Sequence, residues 1–159
     1  MSDESELYLQ RAENELVAAQ MLFDISSNPN IQKEQFKLEK DFTFYSTVIS
    51  HSYYCIFYSA KAILIKEKIK TEAPEIHKKT LEAFETYLVK TGKLDVELLK
   101  IYKKMIVRAE ELLEIFSREK GKRGEFTYKK LPQANKEPAK DSLDNASLFF
   151  KNINKIVRK

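Results

Sequence analysis

One segment of this chain limits its fold more than any other. From about Glu39 to Lys68 the sequence is apolar on nearly every side of a helix, with Phe42, Tyr45, Ile49, Tyr53, Ile56, Ala60, Ile63 and Leu64 along one flank. Such a helix has to be covered on all sides, by lipid or by other helices. Its most apolar stretch, Tyr53 to Ile65, is interrupted by Lys61 and is far shorter than the about 20 residues a membrane span requires. The segment therefore predicts the central helix of a bundle, with no membrane partner.

Four other segments carry a helical period that could cover it. Leu9, Ala12, Leu16, Ala19 and Phe23 recur at steps of three and four and predict a helix from about Ser5 to Ser26, ended by Ser27-Asn28-Pro29-Asn30. A third helix is expected from Pro74 to Lys90, with Leu81, Phe84 and Leu88 inward and Gly92 closing it left-handed. A fourth runs from Leu94 to Lys120 on Leu99, Tyr102, Ile106, Ala109, Leu113 and Phe116, stopped by Gly121. The fifth, from about Lys136 to Val157, repeats Ala139, Leu143, Ala146, Phe150, Ile153 and Val157, with Asn135 as its cap. Three glycines in 159 residues are too few for a sheet protein with many tight turns. The expected fold is all-α: an antiparallel bundle of four long helices plus a shorter additional helix, forming a single domain over residues 1–159.

The connection from Gly121 to Asn135 is longer than a helix-to-helix turn needs and is rich in Lys and Arg. Ser117 to Lys140 holds eight basic and three acidic residues, whereas Met1 to Asp24 holds six acids and one arginine. A basic loop can attract phosphate or an acidic partner surface, and it can equally be a solvated charge run. Lys122, Arg123, Tyr128, Lys129 and Lys130 are its candidate ligand or partner contacts. The acidic start MSDESELYLQ lacks the basic-then-apolar order of a targeting peptide, so a cytoplasmic location is expected. The lone Cys55, between Tyr54 and Ile56, reads as a small buried hydrophobe.

The catalytic inventory is thin. His51 and His77 lie on different helices, outside any zinc or di-iron spacing, and no phosphate-binding glycine motif occurs, so neither a metal nor a cofactor is expected. Glu110, Glu111 and Glu114 form an acidic run on the fourth helix with Lys104, Arg108 and Arg118 in reach, which reads as a salt-bridged solvated face. His51, Tyr54, Tyr58 and Lys61 form a polar-tipped aromatic stripe opposite the Phe42 and Ile49 flank of the second helix. That pattern suits a homodimer interface, or a surface covered within one subunit by another helix or the long loop.

The block from Ser52 to Leu64, SYYCIFYSAKAIL, resembles the second-helix signature of the HEPN domain family, small helical bundles often encoded beside minimal nucleotidyltransferases. His77 with Leu81 and Phe84, and Lys90-Thr91-Gly92-Lys93-Leu94, are similar to the family's third helix and its following connector. Arg123 to Tyr128 is similar to its Arg-x-x-x-Asp-Tyr segment, with Thr127 in place of the acid. Many members are ribonucleases that use an Arg-x(4 to 6)-His pair, a cation on the phosphate with a base at the 2′-hydroxyl. Here no arginine stands at that spacing; Lys70, ahead of His77, is the cation there, and it lacks the arginine fork. The resemblance implies a non-catalytic helical binding subunit with no catalytic residue, paired with a nucleotidyltransferase and binding a nucleotide. The alternatives are a divergent ribonuclease toxin of a toxin–antitoxin pair, using Lys70 and His77, or a homodimer that binds nucleotide or RNA.

Overall fold

The computed structural model describes residues 3–113 and 136–159, and it contains no strand among them. Six helices follow in order: α1 (Asp3–Ser26), α2 (Pro29–Phe36), α3 (Tyr45–Lys66), α4 (Ile76–Ala83), α5 (Val96–Leu113) and α6 (Lys136–Val157). Four are long and two short, so the all-α bundle expected from the sequence is what forms. The directions of the long helices follow from side-chain bonds at their ends. The Ser5 hydroxyl at the start of α1 donates to the Ala62 carbonyl near the end of α3, at 2.8 Å. Arg158, just past the end of α6, reaches Glu6 at 2.7 Å. Arg108 late in α5 donates to the Pro138 carbonyl at the start of α6, at 3.0 Å. Lys66 at the end of α3 donates to the Ile156 carbonyl at the end of α6, at 2.7 Å, where unpaired carbonyls welcome a cation. Sequential long helices therefore alternate in direction.

α3 is the middle of the assembly: every residue from Ser59 to Ile65 is buried. Leu9 and Ala12 of α1, Leu98, Leu99, Tyr102 and Met105 of α5 and Phe149 and Ile153 of α6 close over it from different sides. Ala60 and Ala62 let neighbouring backbones come close, and Cys55 is buried with its thiol pKa pushed up by burial. α6 buries all six stripe positions from Ala139 to Val157, and its bounds coincide with those read from its period.

Three sequence expectations are corrected. Pro29 does not merely end the first helix; it opens α2, where a missing N–H costs nothing. The central helix begins at Tyr45 rather than near Glu39, because side chains claim the backbone groups just before it. Gln32 accepts from the Phe42 N–H at 2.7 Å and donates to the Phe42 carbonyl at 2.8 Å, and Ser26 accepts from the Phe44 N–H at 2.7 Å. Phe42 is consequently 38% exposed and stacks on Phe44 instead of lining the core. Pro74 stands ahead of α4, which starts only at Ile76 after a left-handed Glu75.

α4 passes into one π-helical stretch, Phe84–Val89, where the Lys90 N–H reaches the Glu85 carbonyl. The wider turn keeps both Phe84 and Leu88 inside. Gly92 then adopts φ +80, as expected, and the Leu94 N–H returns to the Leu88 carbonyl at 2.8 Å in a helix-ending motif. Asp95 caps α5 through the Glu97 N–H at 2.9 Å. The continuation of the fourth helix to Lys120 and the Asn135 cap lie outside the described residues.

Candidate functional site

The aromatic stripe of α3 is matched, turn for turn, by a stripe on α1. Because the two helices are antiparallel, Glu15, Arg11 and Tyr8, at steps of four and three, face His51, Tyr54 and Tyr58, at steps of three and four. The Glu15 carboxylate meets His51 Nδ1. The Tyr8 and Tyr58 rings lie 6.0 Å apart, and the Arg11 guanidinium stands over both, at 5.4 and 5.9 Å from their centres. Burial, with Glu15 nearby, pushes the Tyr54 and Tyr58 hydroxyls above their ordinary pKa. His51, Tyr54 and Tyr58 are half-buried, so the seam between α1 and α3 leaves one continuous edge of rings at the surface.

Lys61, the fourth residue of the expected stripe, turns away from that surface. It is 5% exposed, and its ammonium donates to the Thr71 carbonyl at 2.6 Å and to the Thr71 hydroxyl at 3.2 Å. Thr71 in turn shares a 2.7 Å hydrogen bond with Thr80, whose hydroxyl donates to the Ile76 carbonyl at 2.7 Å. This relay ties the 67–75 connector and the first turns of α4 to the C-terminal part of α3. Lys61 is thus a tether within the subunit and offers no surface to a second copy.

His77, in the first turn of α4, packs its ring 4.4 Å from that of Phe57 and shares a 2.8 Å hydrogen bond through Nδ1 with the Tyr53 hydroxyl. Burial lowers its pKa. Lys70 is exposed and pairs instead with Glu4 of α1 at 3.4 Å. The cation and the imidazole of the ribonuclease alternative are each held by a different helix. A pH dependence follows: with the folded-state pKa depressed, the unfolded chain takes up a proton first as the pH falls. Stability is complete above the unfolded histidine value of about 6.5 and declines as pH drops through it toward the lower folded value. Thermal melts from about pH 8 to about pH 5 should show a steeper loss for the natural chain than for His77→Gln. Superimposable profiles would contradict this assignment.

Glu111 and Glu114 of the acidic run lie outside the residues whose side chains are described, so its reading as a salt-bridged face stays an expectation; Lys104 and Arg108 bridge to α6. Both reach Asp141 of α6 at 2.8 Å, and desolvation of Asp141 is more than offset by these two cations, which hold its carboxyl below the ordinary value. Lys122, Arg123, Tyr128, Lys129 and Lys130, the candidate contacts in the basic loop, lie outside the described residues. Among the described residues no group of three or more His, Cys, Asp or Glu side chains is gathered for a metal, and no helix is long and apolar enough to cross a membrane. What sequence reasoning missed was the α1 half of the seam. Its signal was the Tyr8, Arg11, Glu15 spacing, which complements the α3 stripe only once the helices are known to be antiparallel.

No family model matches the chain. A segment of 55 residues, 35% of the chain, is 40% identical to a Methanocaldococcus jannaschii protein named "Putative toxin MJ0142", and the matched stretch spans 35% of that relative's own length.

Proposed function

We propose that this chain is the non-catalytic helical member of a two-protein, toxin-type pair, acting as a binding subunit for a nucleotidyltransferase. The observation that carries the reading is the separate engagement of Lys70 and His77. Lys70 pairs with Glu4, while His77 is tied to Tyr53 and packed on Phe57. Cleavage of a phosphodiester beside a 2′-hydroxyl calls for a cation and a base converging on one substrate, and here each of the two groups is engaged by a different helix, Lys70 by α1 and His77 by α3. The sequence similarity to a toxin-named protein supports membership of a paired system without assigning the chemistry. The half-buried edge of His51, Tyr54 and Tyr58 supplies a surface for homodimerisation. The basic loop, through Lys122, Arg123, Lys129 and Lys130, supplies a contact for the phosphate of a nucleotide or for the partner.

The alternative reading, a divergent ribonuclease toxin using Lys70 and His77, is favoured by that same similarity. A mixed RNA pool incubated with the purified chain separates the two. The expected outcome is intact RNA, together with a nucleotidyltransferase in the material that co-purifies from the native host. Cleavage lost in both Lys70→Ala and His77→Ala would replace the binding reading with the ribonuclease one.

A further inference from the structure

Lys61 has more donor capacity than its tether uses. An ammonium carries three N–H groups, and both of its acceptors belong to Thr71. The Tyr8 ring lies on another side, 5.3 Å from Nζ to its centre. The remaining side of Lys61 borders a cavity of about 230 Å³ between α1, α3 and the 67–75 connector. Ile65, Ala73, Ile76 and the Tyr8 ring provide its apolar walls, while Glu4, Lys70 and Glu72 stand at its rim.

The charges at this cavity are not equivalent. Glu4 is paired with Lys70 at 3.4 Å, and its carboxylate, like that of Glu72, favours the charged form of Lys61 against the cost of burial. What sets the exposed Glu72 carboxylate apart is that it forms no ion pair among the described residues. One N–H of a buried cation and one carboxylate are therefore unspent at the same cavity, beside an apolar wall. A simple anion entering here would satisfy Lys61 but face Glu72, and a simple cation would face Lys61; a zwitterion satisfies both. The volume lies below the about 300–1,000 Å³ typical of cavities that enclose drug-sized ligands and suits a molecule the size of leucine.

We propose that this cavity binds a free α-amino acid with an apolar side chain, its carboxylate on Lys61 Nζ, its ammonium on Glu72, and its side chain against Ile65, Ile76 and Tyr8. The inference stands on the cavity alone and holds whether or not the chain has a nucleotidyltransferase partner.

Calorimetric titration of the full chain with L-leucine, L-methionine and L-phenylalanine tests it, with leucinamide and N-acetyl-leucine as comparators lacking one charge each. At least one of the three amino acids should bind with a Kd of about 1 mM or tighter, and each leucine comparator at least about tenfold more weakly than leucine. Glu72→Gln alters an exposed side chain and should keep the helical circular-dichroism spectrum while weakening amino-acid binding about tenfold. Lys61→Met should weaken it at least as much, and if that variant does not fold, Glu72→Gln alone decides. Absence of binding by all three amino acids would overturn the proposal. So would comparators that bind as well as leucine, or affinity unchanged in Glu72→Gln.

Discussion

Phe149→Ala is expected to destabilise the protein by about 3–5 kcal/mol, the range for emptying a buried aromatic site, and to lower Tm by about 10 °C or more. Phe149 is fully buried on α6, and its ring meets Phe84 at 5.5 Å and Tyr102 at 5.8 Å, with those two rings 5.4 Å from each other. This trio joins the π-helical stretch, α5 and α6 over α3, so the cavity left by the substitution would be walled by three separate elements that cannot all collapse into it. The adjacent Leu148, about 100° round α6, is 52% exposed and serves as an internal control. Leu148→Ala should change stability by no more than about 0.5 kcal/mol. Chemical denaturation of both variants checks this, and equal losses would mean that α6 presents a different face to the bundle.

The second large effect is expected at Lys61, where packing and hydrogen bonding can be separated. Lys61→Ala removes a buried four-carbon stem and leaves the Thr71 carbonyl, held at 2.6 Å in the natural protein, without its charged donor. An orphaned buried acceptor and lost stem contacts together cost about 2–4 kcal/mol. Lys61→Met keeps most of the stem and removes the burial cost of the charge, so it should cost about 1–2 kcal/mol less than the alanine variant. Both should loosen the 67–75 connector, because the relay from Thr71 through Thr80 to Ile76 loses its anchor on α3. Hydrogen exchange read by mass spectrometry should show faster exchange at residues 69–73 in both variants. Protection there equal to that of the natural chain would show that the connector is held by something other than Lys61.

The residues with the greatest burial were legible in the sequence. Tyr53, Ile56, Ala60 and Ile63 on α3, and the whole Ala139 to Val157 stripe on α6, announce themselves by period, since a helix of 3.6 residues per turn displays a buried face as a repeat at three and four. Gly92 was legible too, because a left-handed helix end favours glycine. Where local period competed with long-range side-chain bonds, the period misled. The segment 37–44 carries apolar residues at helical spacing, yet Gln32 and Ser26, ten and eighteen residues away from Phe42 and Phe44, hold the very N–H groups a helix would need.

The candidate sites divide along the same line. The ring stripe of His51, Tyr54 and Tyr58 could be read from α3 alone, and its spacing places those side chains on one edge. That Glu15 meets His51, that Arg11 covers Tyr58, and that Lys61 points into the protein to hold Thr71 could not, because each depends on which helix packs against α3 and in which direction. By itself the sequence determined that there are four long helices and which of their faces are buried, since both follow from periodicity that acts over one or two turns, while the start of α3 was set by long-range side-chain bonds. Only the tertiary structure decided what each polar side chain on those faces touches. A lysine or histidine on an apolar helix can turn toward solvent, a partner or its own core, and the choice is made by the acceptors that the packed neighbours bring within about 3 Å.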